Sequence, residues 1–309
     1  MRRAVLVGAA GFVGARVHAA LVRDGWDVDP VDRAACADGD VPGAVAAALA
    51  SPADAVLCCA GATTGAPDAL GRANADLPAA LAAVVASAAG VEPGSVPGSV
   101  PRSVPRSVPR SVPRFVHVGS AAEYGAACGD RPCTEDDPPA PLSDYGRSKA
   151  AGTARVLATL PDAVVLRATT VIGPGGRGFL ATLCRQIAAA PPDGVVHVGP
   201  LDAARDLLDV DDLAAAVVAA AHPDGSGAAR GVLNVGTGVA VPLSTLVARV
   251  RALTGFRGAV VPDAPAPATS AQVRTQCSDT TRITHALGWT PRIPLDATIR
   301  RTWLWSTAP

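Results

Sequence analysis

Lysine occurs once in this chain of 309 residues, at Lys149, and tyrosine only twice, at Tyr124 and Tyr145. Tyr145 and Lys149 stand four residues apart in the run Tyr145-Gly146-Arg147-Ser148-Lys149. On a helix that spacing puts both on one face. A phenol alone is a poor base at neutral pH. An ammonium beside it favours the phenolate and brings proton transfer within reach. Every other fixed positive side chain is arginine, whose planar fork is a poor replacement for a compact ammonium. Ser120, which follows the apolar run 115–119, is the third candidate. Its hydroxyl can bond a substrate alcohol or carbonyl oxygen and share a proton with Tyr145. Taken singly, a serine after a strand is a turn cap and one lysine is a solvated charge. Together the three read as a proton-transfer group.

A glycine cluster, Gly8-Ala9-Ala10-Gly11-Phe12-Val13-Gly14, follows a short apolar run and opens an Ala-rich one. That is the context in which such a cluster cradles a dinucleotide pyrophosphate at a helix N-terminus. Asp32 closes the second β-type run, 18 residues after Gly14. A carboxylate there accepts bonds from the adenosine ribose and repels a 2′-phosphate. NAD is therefore the expected cofactor, with NADP admitted by the adjoining Arg33.

The elements that must position these residues follow from the apolar pattern. Short β-type runs at 4–7, 28–31, 55–59, 115–119 and 163–167 alternate with helical runs at 14–24, 41–49, 78–89 and 144–160. This rhythm predicts an α/β fold, a Rossmann-type doubly wound parallel sheet. Pro30 is awkward within its strand, because it removes a ladder donor. Beyond residue 167 the rhythm loosens. Helices are expected at 180–190, 211–221, 244–254 and 295–305, and strands at 195–198 and 233–235, forming a smaller C-terminal α/β substrate lobe. The expected division is a dinucleotide-binding domain of residues 1–167 with 206–235, and a substrate-binding lobe of 168–205 with 236–309.

Between residues 95 and 114 a Ser-Val-Pro-Gly/Arg unit repeats five times. Proline at every fourth position forbids helix and ladder alike, so an extended loop is expected. Arg102, Arg106, Arg110 and Arg114 could make it a basic arm, but a slipped repeat tolerated on the surface is the favoured reading. A net charge of zero suggests neither nucleic acid nor an acidic membrane surface as partner, and no apolar run approaches a bilayer span. Seven irregularly spaced cysteines without a secretory signal read as reduced thiols in a cytoplasmic protein, with no zinc spacing and no metal expected.

These motifs, in this order, resemble the extended short-chain dehydrogenase/reductases of the NAD-dependent epimerase/dehydratase family along nearly the whole chain. Gly8, Gly11 and Gly14 match its Gly-x-x-Gly-x-x-Gly. Asp54-Ala55-Val56-Leu57-Cys58-Cys59-Ala60-Gly61 resembles its Asp-x-Val-x-His-x-Ala-Gly run, with Cys58 where histidine is common. Asn74 matches an asparagine at the next helix. Gly119-Ser120-Ala121-Ala122-Glu123-Tyr124-Gly125 resembles Ser-Ser-x-x-Val-Tyr-Gly, and Tyr145 with Lys149 is the family's catalytic pair. Arg205-Asp206-Leu207-Leu208-Asp209-Val210-Asp211-Asp212, Asn234-Val235-Gly236-Thr237-Gly238 and Leu287-Gly288-Trp289-Thr290-Pro291 match later blocks.

The resemblance implies Ser120, Tyr145 and Lys149 as catalytic residues. It implies a cofactor set of Gly8, Gly11, Phe12, Val13, Asp32 and Arg33, extended by Asp40, Val41, Ala60, Gly61 and Asn74 and completed by Tyr145 and Lys149. For the substrate it implies Ser120, Ala121, Tyr145, Thr170, Arg205 and Arg274. The departures narrow the reaction. Ala121-Ala122 stands where dehydratases carry Asp-Glu, so dehydration is not expected. Thr170 replaces a usual asparagine. Thr269 stands where epimerases place a diphosphate-clamping arginine, with Arg274 the nearest substitute. The expected activity is redox chemistry at C4 of a nucleotide sugar, first as a 4-epimerase and alternatively as a 4-ketoreductase. A non-catalytic dinucleotide-binding regulator is the reading from another class, and a homodimer is the expected assembly.

Overall fold

Runs that are largely apolar become central strands, because a parallel sheet covered on both faces has no wet side. The computed structural model describes residues 1–36, 39–90, 112–126, 128–129, 131–222, 229–263 and 273–308. The first part of the chain runs β1 (Arg3–Val7), α1 (Phe12–Arg23), β2 (Asp27–Val31), α2 (Val41–Ala48), β3 (Ala55–Cys58), α3 (Pro67–Gly71) and α4 (Leu77–Ala88). Next come β4 (Arg114–Ser120), α5 (Asp144–Thr159), β5 (Val164–Ala168), β6 (Thr170–Ile172), α6 (Phe179–Ala189), β7 (Val195–Val198) and β8 (Ala204–Asp209). The remainder is α7 (Val210–Ala221), β9 (Gly231–Val235), β10 (Ala240–Pro242), α8 (Leu243–Thr254), β11 (Ala259–Pro262), β12 (Thr275–Gln276), α9 (Thr281–Leu287) and α10 (Leu295–Ser306).

Six strands form one sheet in the order β2-β1-β3-β4-β5-β9. The pairs β1–β2, β1–β3 and β3–β4 are parallel, and the sheet is the expected Rossmann type. β2 lies on one side of β1 and β3 on the other, so the winding reverses there. Such a switch point leaves a crevice beyond the carboxyl ends of the two strands, where α/β sheets bind ligands. Pro30 does lie within β2, opposite Leu6. It is tolerated because β2 is an edge strand, where a missing donor disrupts no inner ladder.

The chain divides into two compact units, residues 1–119, 148–166 and 217–232 in one, and 120–147, 167–216 and 233–309 in the other. In the first unit the core joins Val5, Val56, Leu81, Val85, Phe115 and Val156. Arg114 belongs to this unit's frame and not to a basic arm. Its guanidinium donates to the carbonyls of Ala220, at 2.6 Å, and of Ala229, tying down the end of α7. Residues 95–111 of the repeat lie outside the described residues.

The second unit holds a sheet ordered β10-β8-β12 with β6 beside β8, and the pair β11-β7. Its core gathers Leu183, Ile187, Leu207, Leu246, Val250 and Ile299. The late motifs are clamps for the tail of the chain. Asp212 accepts from the backbone N–H of Arg292 and Ile293, at 3.0 Å each, and its own carbonyl takes Trp289 Nε1 at 3.1 Å. Asp209 accepts from Thr298 Oγ1 at 2.6 Å.

One expectation is corrected here. Cys128 and Cys133 form a disulfide, and only Cys36, Cys58, Cys59, Cys184 and Cys277 are thiols. A turn closed by the Arg131 N–H on the Cys128 carbonyl, at 3.3 Å, brings the two sulfurs together. The spacing matches no metal or redox motif, so the pairing was not visible beforehand. Among the described residues no helix is long and apolar enough to cross a membrane.

Candidate active site

In the first unit, the Gly8–Gly14 turn joins the end of β1 to α1. Gly8 has φ +88°, and a Cβ there would lie 2.8 Å from Ala60 N; a Cβ on Gly14 would lie 1.9 Å from Gly8 O. These contacts bring the loops after β1 and β3 together and seat the helix directly on the turn. Gly11 is the N-cap of α1, with no side-chain cap and no acid in the first turn. The amides around Phe12 and Val13 are thus left to an anion rather than to the protein's own carboxylates. Asp32 follows β2 and accepts from Ala10 N–H at 3.1 Å, which aims its carboxylate at the same turn. This is a cradle that side chains would fill, and it fits a dinucleotide. Arg33 is exposed and lies alongside Gly39. Asp40 and Val41 have structural roles. Asp40 caps α2 by accepting from Gly43 N–H at 2.9 Å, and Val41 packs in the core.

The loop after β3 is held by Asn74, which is wholly buried. Its amide donates to Ala62 O at 2.7 Å and to Ser148 Oγ at 3.0 Å, and its Oδ1 accepts from Ala62 N–H at 2.9 Å. A π-helical turn (Arg72–Asp76) presents this side chain, a widened turn often found where a helix serves a site. Gly152 of α5 makes room for that turn, since a Cβ would lie 2.0 Å from Asn74 O. Lys149 is 5% exposed and donates to Val118 O at 2.8 Å. A Cβ on Gly61 would lie 3.3 Å from its Nζ. Ala60, Gly61, Asn74 and Lys149 therefore form one cluster at the carboxyl ends of β3 and β4.

In the second unit, Ser120 ends β4 and caps a short 3₁₀ turn (Ala121–Glu123). Its Oγ accepts from Ala122 N–H at 3.2 Å. The capping role foreseen for a lone serine is thus present. Ala121, the first residue of that turn, is buried. Tyr145 lies in the first turn of α5, whose start is capped by Ser143 Oγ on Gly146 N–H at 3.0 Å. A Cβ on Gly146 would lie 2.6 Å from Ala122 O, so glycine lets the helix start press against the Ser120 turn. Lys149 follows Tyr145 by one helical turn.

Further along the second unit, Gln276 on β12 pairs with Arg205 on β8. Thr170 donates to Gln276 Oε1 at 3.2 Å, and Arg205 donates to the Arg274 carbonyl at 3.3 Å. Thr170, Arg205 and Arg274, remote in sequence, meet around Gln276, which the sequence reading had not singled out. Burial pulls the Arg205 guanidinium below its ordinary value, with Asp202 opposing.

Two other groups were missed. His117, opposite Cys58 on the neighbouring strand, is wholly buried. Neither ring nitrogen reaches hydrogen-bond geometry with a protein group, although the ring faces the main chain of Cys58. Burial, and then the nearby Lys149 ammonium, hold it well below its usual range and so neutral. The His117 ring thus adds no positive charge beside Lys149. Burial likewise pushes the Cys58 thiol up to about 11, Lys149 partly opposing. The other missed group is the buried Glu123–Arg167 pair, with Nε 2.7 Å from Oε2.

Residues 4–236 match the NAD dependent epimerase/dehydratase family. The chain belongs to that family. Within it, the chain is 35% identical over 205 residues to the dTDP-6-deoxy-L-talose 4-dehydrogenase (NAD(P)(+)) of Kitasatospora kifunensis, covering 63% of each chain. It is 31% identical over 200 residues to the UDP-glucose 4-epimerase of Mycolicibacterium smegmatis, covering 60% of each. The matches therefore span somewhat less than two thirds of these relatives. Over 99% of its length the family member is similar in structure to MoeE5, solved in complex with UDP-glucose and NAD, with a TM-score of 0.76, 26% identity and 98% of that chain covered.

Proposed function

We propose that the protein is an NAD(P)-dependent oxidoreductase acting at C4 of a nucleotide-linked sugar. The observation that carries this is the α5 pair, Tyr145 one turn before a buried Lys149 that is anchored on Val118 O. A bound nicotinamide cofactor accepts or supplies the hydride. Tyr145 exchanges a proton with the sugar oxygen, with the Lys149 ammonium one helical turn further along α5. Ser120 bonds the same oxygen, and its Oγ, already accepting from Ala122 N–H, keeps its own hydrogen to donate. Gly8, Gly11, Phe12 and Val13 would bind the pyrophosphate, Asp32 the adenosine ribose, and Ala60, Gly61 and Asn74 the middle of the cofactor. Arg205 and Arg274, with Thr170, would meet the substrate diphosphate.

Reduction of a 4-keto sugar is the reading placed first, supported by the likeness to a dTDP-sugar 4-dehydrogenase. The 4-epimerase expected from the sequence is the second, supported by the likeness to a UDP-glucose 4-epimerase. Denaturing the purified protein and identifying released nucleotide by mass spectrometry, alongside NAD(P)H consumption with a dTDP-4-keto-6-deoxy sugar, tests both. An exchangeable cofactor consumed with the keto sugar supports the reductase. Stoichiometric retained NAD and interconversion of C4 epimers support the epimerase. Failure to bind either dinucleotide would overturn the proposal.

A further inference from the structure

Glu123 is an acid with no exposure, placed where the resembled block carries valine. Burying a carboxylate is costly unless its oxygens are paired, and both of these are. Oε1 accepts from Ser120 N–H at 2.9 Å, and Oε2 accepts from Arg167 Nε at 2.7 Å. Arg167 is itself only 4% exposed. Its guanidinium lies over the Tyr124 ring, 4.6 Å from the centroid. Burial works against the Arg167 charge, but Glu123 and Tyr124 outweigh it and keep it above its ordinary value. Tyr124 in turn donates to Asn234 Oδ1 at 2.7 Å, and Asn234 donates to Cys133 O at 2.9 Å. An unbroken buried network thus runs from the Ser120 amide into the middle of the second unit.

The turn that this network serves is three residues long. So short a turn has little helical stability to protect, yet it carries a full reciprocal cap. Glu123 fixes the Ser120 backbone, and the Ala122 amide fixes the Ser120 oxygen. What the arrangement controls is the direction of one hydroxyl. We propose that Glu123, braced by Arg167, is a positioning residue that sets Ser120 for substrate. The inference rests on Ser120 being the substrate contact named under the proposed function.

The test combines two variants and two readouts in the full chain. In Glu123→Gln, amide hydrogen exchange of the segment 114–124 should quicken by about tenfold or more, while the segment 4–14 and the dinucleotide Kd stay unchanged. With a turned-over sugar substrate, kcat should fall by about tenfold or more with little change in KM. In a Ser120→Ala background the same replacement should cost less than about twofold, because it acts through Ser120. An equal loss in both backgrounds, or unchanged exchange at 114–124, overturns the proposal. Should Glu123→Gln not fold, the paired replacement Glu123→Val with Arg167→Met removes both charges and strands neither. It should fold and show the same kcat loss, and full kcat would overturn the proposal. If Ser120→Ala itself keeps full turnover, the reading of Ser120 as substrate contact fails, while hydrogen exchange still decides whether Glu123 holds the turn.

Discussion

Replacing Gly14 with alanine puts the closest contact of the cofactor cradle to a direct test. A Cβ built on Gly14 lies 1.9 Å from Gly8 O, 2.7 Å from Gly8 C and 3.1 Å from Ala9 Cα. Real Cβ atoms essentially never approach within 3.0 Å, and the obstacle is backbone. The start of α1 must therefore retreat by at least about 1 Å. Alanine in a helix gains about 1 kcal/mol over glycine, and overpacking costs about 1–3 kcal/mol. The net loss of stability is then no more than about 2 kcal/mol, or a few degrees in Tm. Dinucleotide binding should suffer more. A retreat of about 1 Å stretches a bond of about 2.9 Å beyond useful length. Losing one charge-assisted amide contact to the pyrophosphate costs about 1.5–3 kcal/mol, which weakens the Kd by about 10–100-fold. Calorimetric titration with NAD and NADP, on protein shown folded by circular dichroism, measures this. A Kd within about twofold of the parent would refute the argument that close approach of helix and turn builds the site.

Tyr145→Phe should leave dinucleotide affinity nearly intact and lower turnover by about 10²–10⁴-fold; a variant that kept most of its activity would remove Tyr145 as the proton-transfer group. Asp32 lies at the glycine turn through Ala10 N–H, so NAD should bind more tightly than NADP by calorimetry. Asp32→Ala should narrow or reverse that gap, and tighter NADP binding by the parent protein would contradict it. Titration of thiols in denaturant should find five before reduction and seven after, given the Cys128–Cys133 bridge; seven without reductant would remove the bridge. Burial raises Cys58, Cys184 and Cys277 from 9.0 to about 11. The stability they contribute is complete below 9 and is lost as pH rises toward 11, because only the unfolded chain ionises them in that window. The thermal midpoint should fall between pH 9 and 11, less steeply in Cys58→Ala, and an equal slope in both proteins would contradict this.

The Tyr145–Lys149 spacing and the glycine turn were legible from local rules. Residues four apart on a helix share a face whatever surrounds them, and glycines between a strand and a helix have few other uses. The parallel sheet was legible because its central strands are largely apolar and continuous in sequence. Pro30 misled only until its strand was seen at the edge of the sheet. Beyond residue 167 the strands are short, such as Thr170–Ile172 and Thr275–Gln276, and pair with partners far along the chain. No local period marks a strand of two or three residues, so these escaped notice.

The sequence by itself determined which residue types stand ready for proton transfer and dinucleotide binding, since those depend on side-chain chemistry and near-neighbour spacing. Only the tertiary structure decided that Glu123 and Arg167 are partners, that Gln276 joins Thr170 to Arg205, that His117 stays neutral beside Lys149, and that Cys128 closes on Cys133. Each of those depends on burial and on contacts between segments remote in the chain. The energy of a charge or a thiol is set by what surrounds it in space, and chain order alone does not specify that.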